Sequence, residues 1–242
     1  MFDAPIATTL GLGFVLGLKH ALDADHIAAV ASLTESGAGL RRAVVNGTSW
    51  GIGHALTIGL AGGAAIVLRS AFPERLALAF ELAAATMLIV LGVVALRGAL
   101  RDRLHVHAHR HDGVTHAHLH FHARRHDASS AGAHHHPHPA RLALRPFLVG
   151  TVHGLAGSAA LAVLVLATMP SVLAGCVYLV VFGAGTMAGM ALMSLLLGAP
   201  FVVAERRAAG LARALRVLAG AGSIALGALI AWQTGRASGL FG

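Results

Sequence analysis

The residues of this sequence best suited to chemistry lie together in its first hydrophobic stretch. Lys19, His20, Asp23, Asp25 and His26 are all ionisable, and they fall near the middle of that apolar segment. An Asp or Lys at the centre of a membrane helix costs about 2.5–3.5 kcal/mol. Such residues are expected to face the interior of a helix bundle, to pair with one another or to bind a ligand.

The spacing of these residues determines which of them can act together. On a regular helix His20, Asp23 and His26 share one face, and Asp25 points away from it. Local unwinding of the helix would bring Asp25 or backbone carbonyls to the same side. Imidazole and carboxylate groups together suit nickel, cobalt and zinc, whereas sites built from oxygen alone suit magnesium and calcium. The stretch therefore predicts a metal site formed by His20, Asp23, Asp25 and His26.

A structural interpretation of the same stretch stays open. Lys19 and Asp23 are four residues apart, which is the spacing of an ion pair on one helix face. Two further histidines, His54 and His153, lie in other hydrophobic stretches and are weaker candidates for the metal site. Each of them is either a ligand along the path of the metal or a structural residue that forms hydrogen bonds.

The composition places these residues in a membrane protein. Of 242 residues, 56% are hydrophobic and only 12% are charged, and the mean hydropathy is +0.74. Soluble domains carry about 25% charged residues, and a membrane span needs about 20 apolar residues. We predict an all-α membrane protein whose six transmembrane helices correspond to the hydrophobic stretches 6–33, 43–68, 76–97, 146–169, 172–203 and 211–233.

The two halves of the chain carry related segments. Residues 17–22 (Gly-Leu-Lys-His-Ala-Leu) align with residues 150–155 (Gly-Thr-Val-His-Gly-Leu), and further glycines align in the later stretches. Three spans in each half give the halves opposite orientations. The sequence thus predicts two inverted three-helix repeats, at 1–97 and 146–242, with a transport site at their interface.

The segment between the repeats, residues 98–145, has a different composition. It holds 13 of the 17 histidines, many of them in alternation with other residues, and it has no apolar periodicity. We expect a disordered, His-rich loop that buffers metal ions. Fourteen of the 17 arginines lie in the odd-numbered loops, which predicts a cytoplasmic loop and both termini outside the cytoplasmic membrane.

Other classes of protein are excluded or disfavoured by composition. The single cysteine, Cys176, excludes a disulfide framework and a membrane thiol–electron carrier. The net charge of +8 is interpreted as loop charge that orients the chain in the lipid bilayer, so no nucleic-acid partner is expected. The two aspartates disfavour an exporter of organic anions or sulfite. The sequence has no phosphate-binding GxxxxGK[ST] motif, so we expect a transporter that is driven by a gradient, the membrane potential or a partner, and not an enzyme.

The stretch 17–27, Gly-Leu-Lys-His-Ala-Leu-Asp-Ala-Asp-His-Ile, resembles the His-Ala-x-Asp-Ala-Asp-His signature of the nickel/cobalt transporter family. The six-span layout and the segment that begins at His153 are most similar to its urease-accessory nickel-permease branch. Larger members have eight spans and a later Leu-Gly-x-Asp-Thr-Ala-Thr-Glu motif, and the corresponding region here lacks carboxylates. The resemblance implies metal recognition by His20, Asp23, Asp25 and His26.

The resemblance also implies a function. It predicts a secondary permease of the bacterial inner membrane that takes up Ni²⁺ or Co²⁺, binds no permanent cofactor and has metallochaperones of a nickel enzyme as cytoplasmic partners. Efflux of the same ions through the same site is the first alternative. The second is a membrane protein that stores or senses metal through its His-rich loop.

Overall fold

The computed structural model of the protein describes residues 4–33, 39–68, 73–101, 105–111, 114–120, 143–156 and 169–238. Two longer segments lie outside these ranges. They are residues 121–142 of the His-rich loop and residues 157–168 of the fourth hydrophobic stretch. The predictions for those two segments therefore stay predictions.

Outside the His-rich segment, every element that the structure describes is a helix. The helices are α1 (Ala4–His20), α2 (Ala24–Leu33), α3 (Leu40–Leu68), α4 (Glu74–Arg101), α5 (143–156), α6 (Val172–Arg207) and α7 (Ala209–Ala237). Four of them, α3, α4, α6 and α7, are long and apolar enough to cross a membrane. The prediction of a helical, multi-pass membrane protein is confirmed at this level, and the six-span arrangement stays a prediction.

The first hydrophobic stretch is a broken helix. Helix α1 ends at His20, and α2 begins at Ala24. Between them the backbone forms two 3₁₀-type hydrogen bonds. The Leu22 N–H donates to the Lys19 carbonyl at 2.8 Å, and the Asp23 N–H donates to the His20 carbonyl at 3.1 Å. Hydrogen bonds between residues three apart commonly terminate an α-helix. The ionisable residues of this stretch therefore sit on and around a helix break.

Glycines bring repeat-related helices into close contact. A side-chain carbon added at Gly17 would collide with the Phe182 carbonyl of α6, and one added at Gly150 would collide with the Trp50 carbonyl of α3. Gly17 and Gly150 are aligned in the sequence repeat, and Trp50 and Phe182 each directly precede an aligned glycine. The contact of α1 with α6 is thus matched by the contact of α5 with α3.

Close glycine contacts also join α4 and α7, which correspond to the third predicted span of each half. Gly92 of α4 lies against the Gly220 carbonyl of α7 and the side chain of Ile224, and Gly227 of α7 lies against the Ala85 carbonyl of α4 and the side chain of Ile89. Matched contacts of this kind are what a two-fold relation between the halves would produce. The superposition of the complete halves stays a prediction.

The close contact of α3 with α5 gives a test of the packing. In α3, a methyl group at Gly53 would meet the Phe147 carbonyl of α5, whereas one at Gly59 has nothing within 4 Å. Overpacking of this kind costs about 1–3 kcal/mol. Gly53→Ala is therefore expected to lower the thermal unfolding midpoint of the detergent-purified protein, and Gly59→Ala is expected to leave it unchanged. Equal midpoints for the two variants would contradict the packing of α5 on α3.

The His-rich segment is shorter than predicted and is partly paired. Helix α4 continues to Arg101, because Ala99 is still buried against the bundle, and α5 already begins at residue 143. Two strands, β1 (His105–His111) and β2 (Val114–His120), pair in antiparallel register, with His107 opposite His118. The alternating composition of these residues matches the two-residue period of a strand. Disorder of residues 121–142 is not tested, since they lie outside the described ranges.

Candidate metal centre

The four histidines outside the His-rich loop meet at the break between α1 and α2. The ring centroid of His26 lies 4.6 Å from that of His20, 5.1 Å from that of His54 and 4.3 Å from that of His153. The rings of His54 and His153 are 5.9 Å apart. These histidines come from α1, α2, α3 and α5, so the centre joins both predicted repeats.

Asp25 links the two halves of the chain. Its Oδ2 lies 2.8 Å from Nε2 of His153, and its Oδ1 lies 3.1 Å from Nδ1 of His26. The same Oδ1 also accepts a hydrogen bond from the backbone N–H of His26 at 3.0 Å. A single carboxylate thus holds two imidazoles on different helices.

Asp23 lies at the edge of the centre. Its Oδ2 is 2.8 Å from Nδ1 of His20, and its side chain is 52% exposed. The Lys19 side chain is exposed, and among the described residues the ion-pair partner of Asp23 is His20. The structure therefore does not form the Lys19–Asp23 pair that was the structural alternative.

Most of the centre is closed off from its surroundings. The exposed fraction is 1% for His26, 0% for His54 and 2% for His153. Trp50 of α3 covers one side, with its ring 5.5 Å from that of His26, and Phe182 of α6 packs 5.6 Å from the ring of His20. Within the described part of the chain, His26 Nε2, His54 Nδ1 and His153 Nδ1 are buried and have no hydrogen-bond partner. Buried polar atoms are normally paired, so three such nitrogens in one cluster indicate a site for a ligand.

The geometry permits two sets of metal ligands. His20, His26 and His54 form one set, and Asp25, His26 and His153 form the other; within each set the potential ligand atoms lie within 4.8 Å of one another. His26 belongs to both. Three imidazoles, or two imidazoles with a carboxylate, suit borderline transition-metal ions rather than magnesium or calcium.

The helix break places two helix ends of opposite partial charge at the centre. The carboxyl end of α1, where the backbone carries partial negative charge, falls at His20, and the amino end of α2 carries Asp25 in its first turn. Negative groups favour a helix amino end, and carbonyl-rich helix ends favour cations. Discontinuous membrane helices supply ion sites in many transporters in this way.

The structure brings together all six candidate metal ligands predicted from the sequence, with one correction of geometry, whereas Lys19 stays exposed outside the centre. The regular-helix expectation for Asp25 is wrong: the break turns its carboxylate toward His26 and His153, as the unwinding alternative allowed. His54 and His153, the weaker candidates, are as central as His26. Binding of an ion by any of these residues is not tested by the geometry and stays a prediction.

Sequence reasoning missed the two aromatic residues that line the centre. Neither Trp50 nor Phe182 is among the residues that the sequence predicts for the site. A signal was present: each directly precedes an aligned glycine of the repeat, at Gly51 and Gly183. Their contacts are matched as well, since Phe182 packs on His20 and Trp50 packs 5.8 Å from the ring of His153.

Fold and site together define a multi-pass helical membrane protein with a buried histidine and aspartate centre at a helix break. No protein-family model and no solved structure matches the chain. The chain is similar to the urease accessory protein UreH of Bacillus sp. (strain TB-90), with 29% identity over 207 residues, which cover 86% of this chain and 83% of the relative. The name of this relative agrees with the urease-accessory branch that the stretch 17–27 and the segment at His153 resemble.

Proposed function

We propose that this protein is a secondary transporter that carries Ni²⁺, with Co²⁺ as a second substrate, into the cytoplasm across the inner membrane. The observation that carries the proposal is the cluster of four imidazoles and Asp25 at the break of α1 and α2. The similarity to a urease accessory protein adds a biological context for nickel. The transported ion is the substrate, and no permanently bound cofactor is proposed.

The driving force follows from the charge of the substrate. A membrane potential of 100 mV, negative inside, favours inward movement of a dication by about 4.6 kcal/mol. On the proposed topology, with both termini outside, the ion would enter beside α1, bind at the centre and leave toward the cytoplasm. The proposed cytoplasmic partners are metallochaperones of a nickel enzyme, and the name of the relative points to urease as that enzyme.

Uptake of radiolabelled nickel by intact cells tests this function and its direction. Cells that lack the protein are expected to accumulate less nickel than cells that express it, and excess cobalt is expected to compete more strongly than excess zinc. Higher nickel content in the deletion strain would contradict uptake and indicate efflux through the same site. Equal content in both strains at low external nickel would contradict transport in either direction.

The His-rich loop is proposed to buffer metal after release and not to form the transport site. Deletion of residues 104–139 removes the described hairpin and all thirteen loop histidines but none of the residues at the helix break. The deletion variant is expected to keep at least half of the nickel uptake rate, because the centre stays complete. Complete loss of cellular nickel binding and uptake in a variant that still reaches the membrane would instead indicate a storage or sensor protein.

A further inference from the structure

The hydrogen bonds of the centre distinguish between its two possible ligand sets. This inference rests on the proposed function and concerns the atoms that hold the ion. We propose that the ion is bound directly by the Nε2 nitrogens of His20, His26 and His54, while Asp23 and Asp25 act as positioning residues that hold the imidazoles from outside.

The hydrogen bonds to the two aspartates fix the positions of the protons on His20 and His26. An ionised carboxylate only accepts hydrogen bonds. Nδ1 of His20 therefore donates to Asp23 at 2.8 Å, and Nδ1 of His26 donates to Asp25 at 3.1 Å. In a neutral imidazole the other nitrogen is then bare. Both Nε2 atoms thus carry free lone pairs, and that of His26 is buried without a partner among the described residues.

The third nitrogen comes from His54. Its Nε2 lies 3.2 Å from Nε2 of His20. Since the His20 nitrogen is bare, His54 Nε2 carries the proton and donates it. Nδ1 of His54 is buried without a partner in the described part of the chain. Transfer of the proton to that Nδ1 frees His54 Nε2, so three nitrogens become available while every proton stays in the site.

Binding of an ion by the other ligand set requires more protons to move than binding by the three imidazoles. In the set of Asp25, His26 and His153, both imidazole nitrogens that face the carboxylate carry protons, because Asp25 accepts from each of them. An ion bound through those nitrogens would require both rings to change tautomer, and it would place a proton on the buried Nε2 of His26, which has no acceptor among the described residues. The set of three imidazoles needs only the tautomer change of His54, and it uses that buried nitrogen.

The carboxylates retain two roles in this arrangement. Histidine ligands commonly donate their second ring N–H to a carboxylate, which fixes the ring and raises its basicity. Asp23 does this for His20, and Asp25 does it for His26 while also holding His153. Their two negative charges balance a divalent ion. Three neutral imidazoles in direct contact select borderline ions such as Ni²⁺ over Mg²⁺ and Ca²⁺.

X-ray absorption of the nickel-loaded protein, combined with calorimetric titration with Ni²⁺, tests this ligand set. The protein is the full-length chain whose thirteen loop histidines are replaced with serine, so that only the centre contributes imidazole scattering. We expect one nickel ion per chain with three imidazole ligands. His54→Gln and His153→Gln are matched variants of two buried histidines: the first is expected to remove one imidazole from the spectrum, and the second is expected to leave three.

The positioning role proposed for Asp23 is tested by the affinity for nickel and not by the number of imidazole ligands. Asp23→Asn keeps an acceptor oxygen for His20 but loses the charge, so three imidazoles are expected with about 10–100-fold weaker binding. A count of two or four imidazoles in the unsubstituted centre would overturn this inference but leave the proposed function standing. A loss of one imidazole ligand in His153→Gln, with no loss in His54→Gln, would also overturn this inference and leave the proposed function standing. Absence of nickel from the unsubstituted centre would overturn the proposed function itself.

Discussion

Replacing His26 with alanine is expected to abolish high-affinity nickel transport. His26 belongs to both possible ligand sets, and its ring packs against those of His20, His54 and His153. Loss of an outer partner of a metal ligand costs about 10–100-fold in affinity, so loss of a direct ligand at the middle of the cluster is expected to cost more than about 100-fold. Initial rates of nickel uptake at low external concentration measure this effect.

A loop histidine provides the control for this substitution. His122→Ala removes an imidazole of the same chemistry from the segment between the repeats and is expected to leave the initial rate unchanged. Expression and membrane insertion of both variants are compared by quantitative blotting. Transport at the unsubstituted rate by well-expressed His26→Ala protein would show that the centre does not handle the substrate.

Asp25→Asn is expected to have the second largest effect. The carboxylate accepts hydrogen bonds from His26 and from His153, on helices of different halves. An asparagine offers one acceptor oxygen, and its NH₂ group would face the proton of the second imidazole. One ring must then turn or change tautomer, and one of the two charges that balance the ion is lost. We expect the nickel uptake rate to fall by roughly 100-fold, the upper end of the effect of an outer partner.

Asp23→Asn is the matched variant, because it makes the same chemical change at a carboxylate with one imidazole partner and a half-exposed side chain. Its loss of uptake is expected to be smaller, since solvent reaches the side chain and the amide oxygen still accepts from His20. Equal losses in the two variants, or a larger loss in Asp23→Asn, would contradict the bridging role of Asp25.

The sequence was sufficient to identify the residues that cluster at the helix break, because charge is costly in an apolar segment. The cluster at 19–26 stands out for that reason, and His54 and His153 stand out as the other histidines within hydrophobic stretches. Composition and hydrophobic length likewise predicted a helical membrane protein, which the four long apolar helices confirm. These features depend on residue type and spacing alone.

The arrangement of the site could not be read from the sequence in the same way. Helical periodicity turned Asp25 away from His26, because it assumes an unbroken helix, and residues 21–23 (Ala-Leu-Asp) contain no glycine or proline that would signal the break. Gly17 against the Phe182 carbonyl and Gly150 against the Trp50 carbonyl set how closely the helices approach. The contact of His153 with Asp25 joins residues that are 128 positions apart in the sequence, and no local pattern predicts it.

Nickel flux into vesicles that contain only the purified protein tests whether the histidine and aspartate centre carries the ion across the membrane. The protein is reconstituted into liposomes loaded with a nickel-sensitive dye, a potential negative inside is imposed, and nickel is added outside. We expect saturable nickel entry with the unsubstituted protein and only the background rate of empty liposomes with His20→Ala. Entry at the background rate for both proteins, or at the same elevated rate for both, would contradict transport through the histidine and aspartate centre.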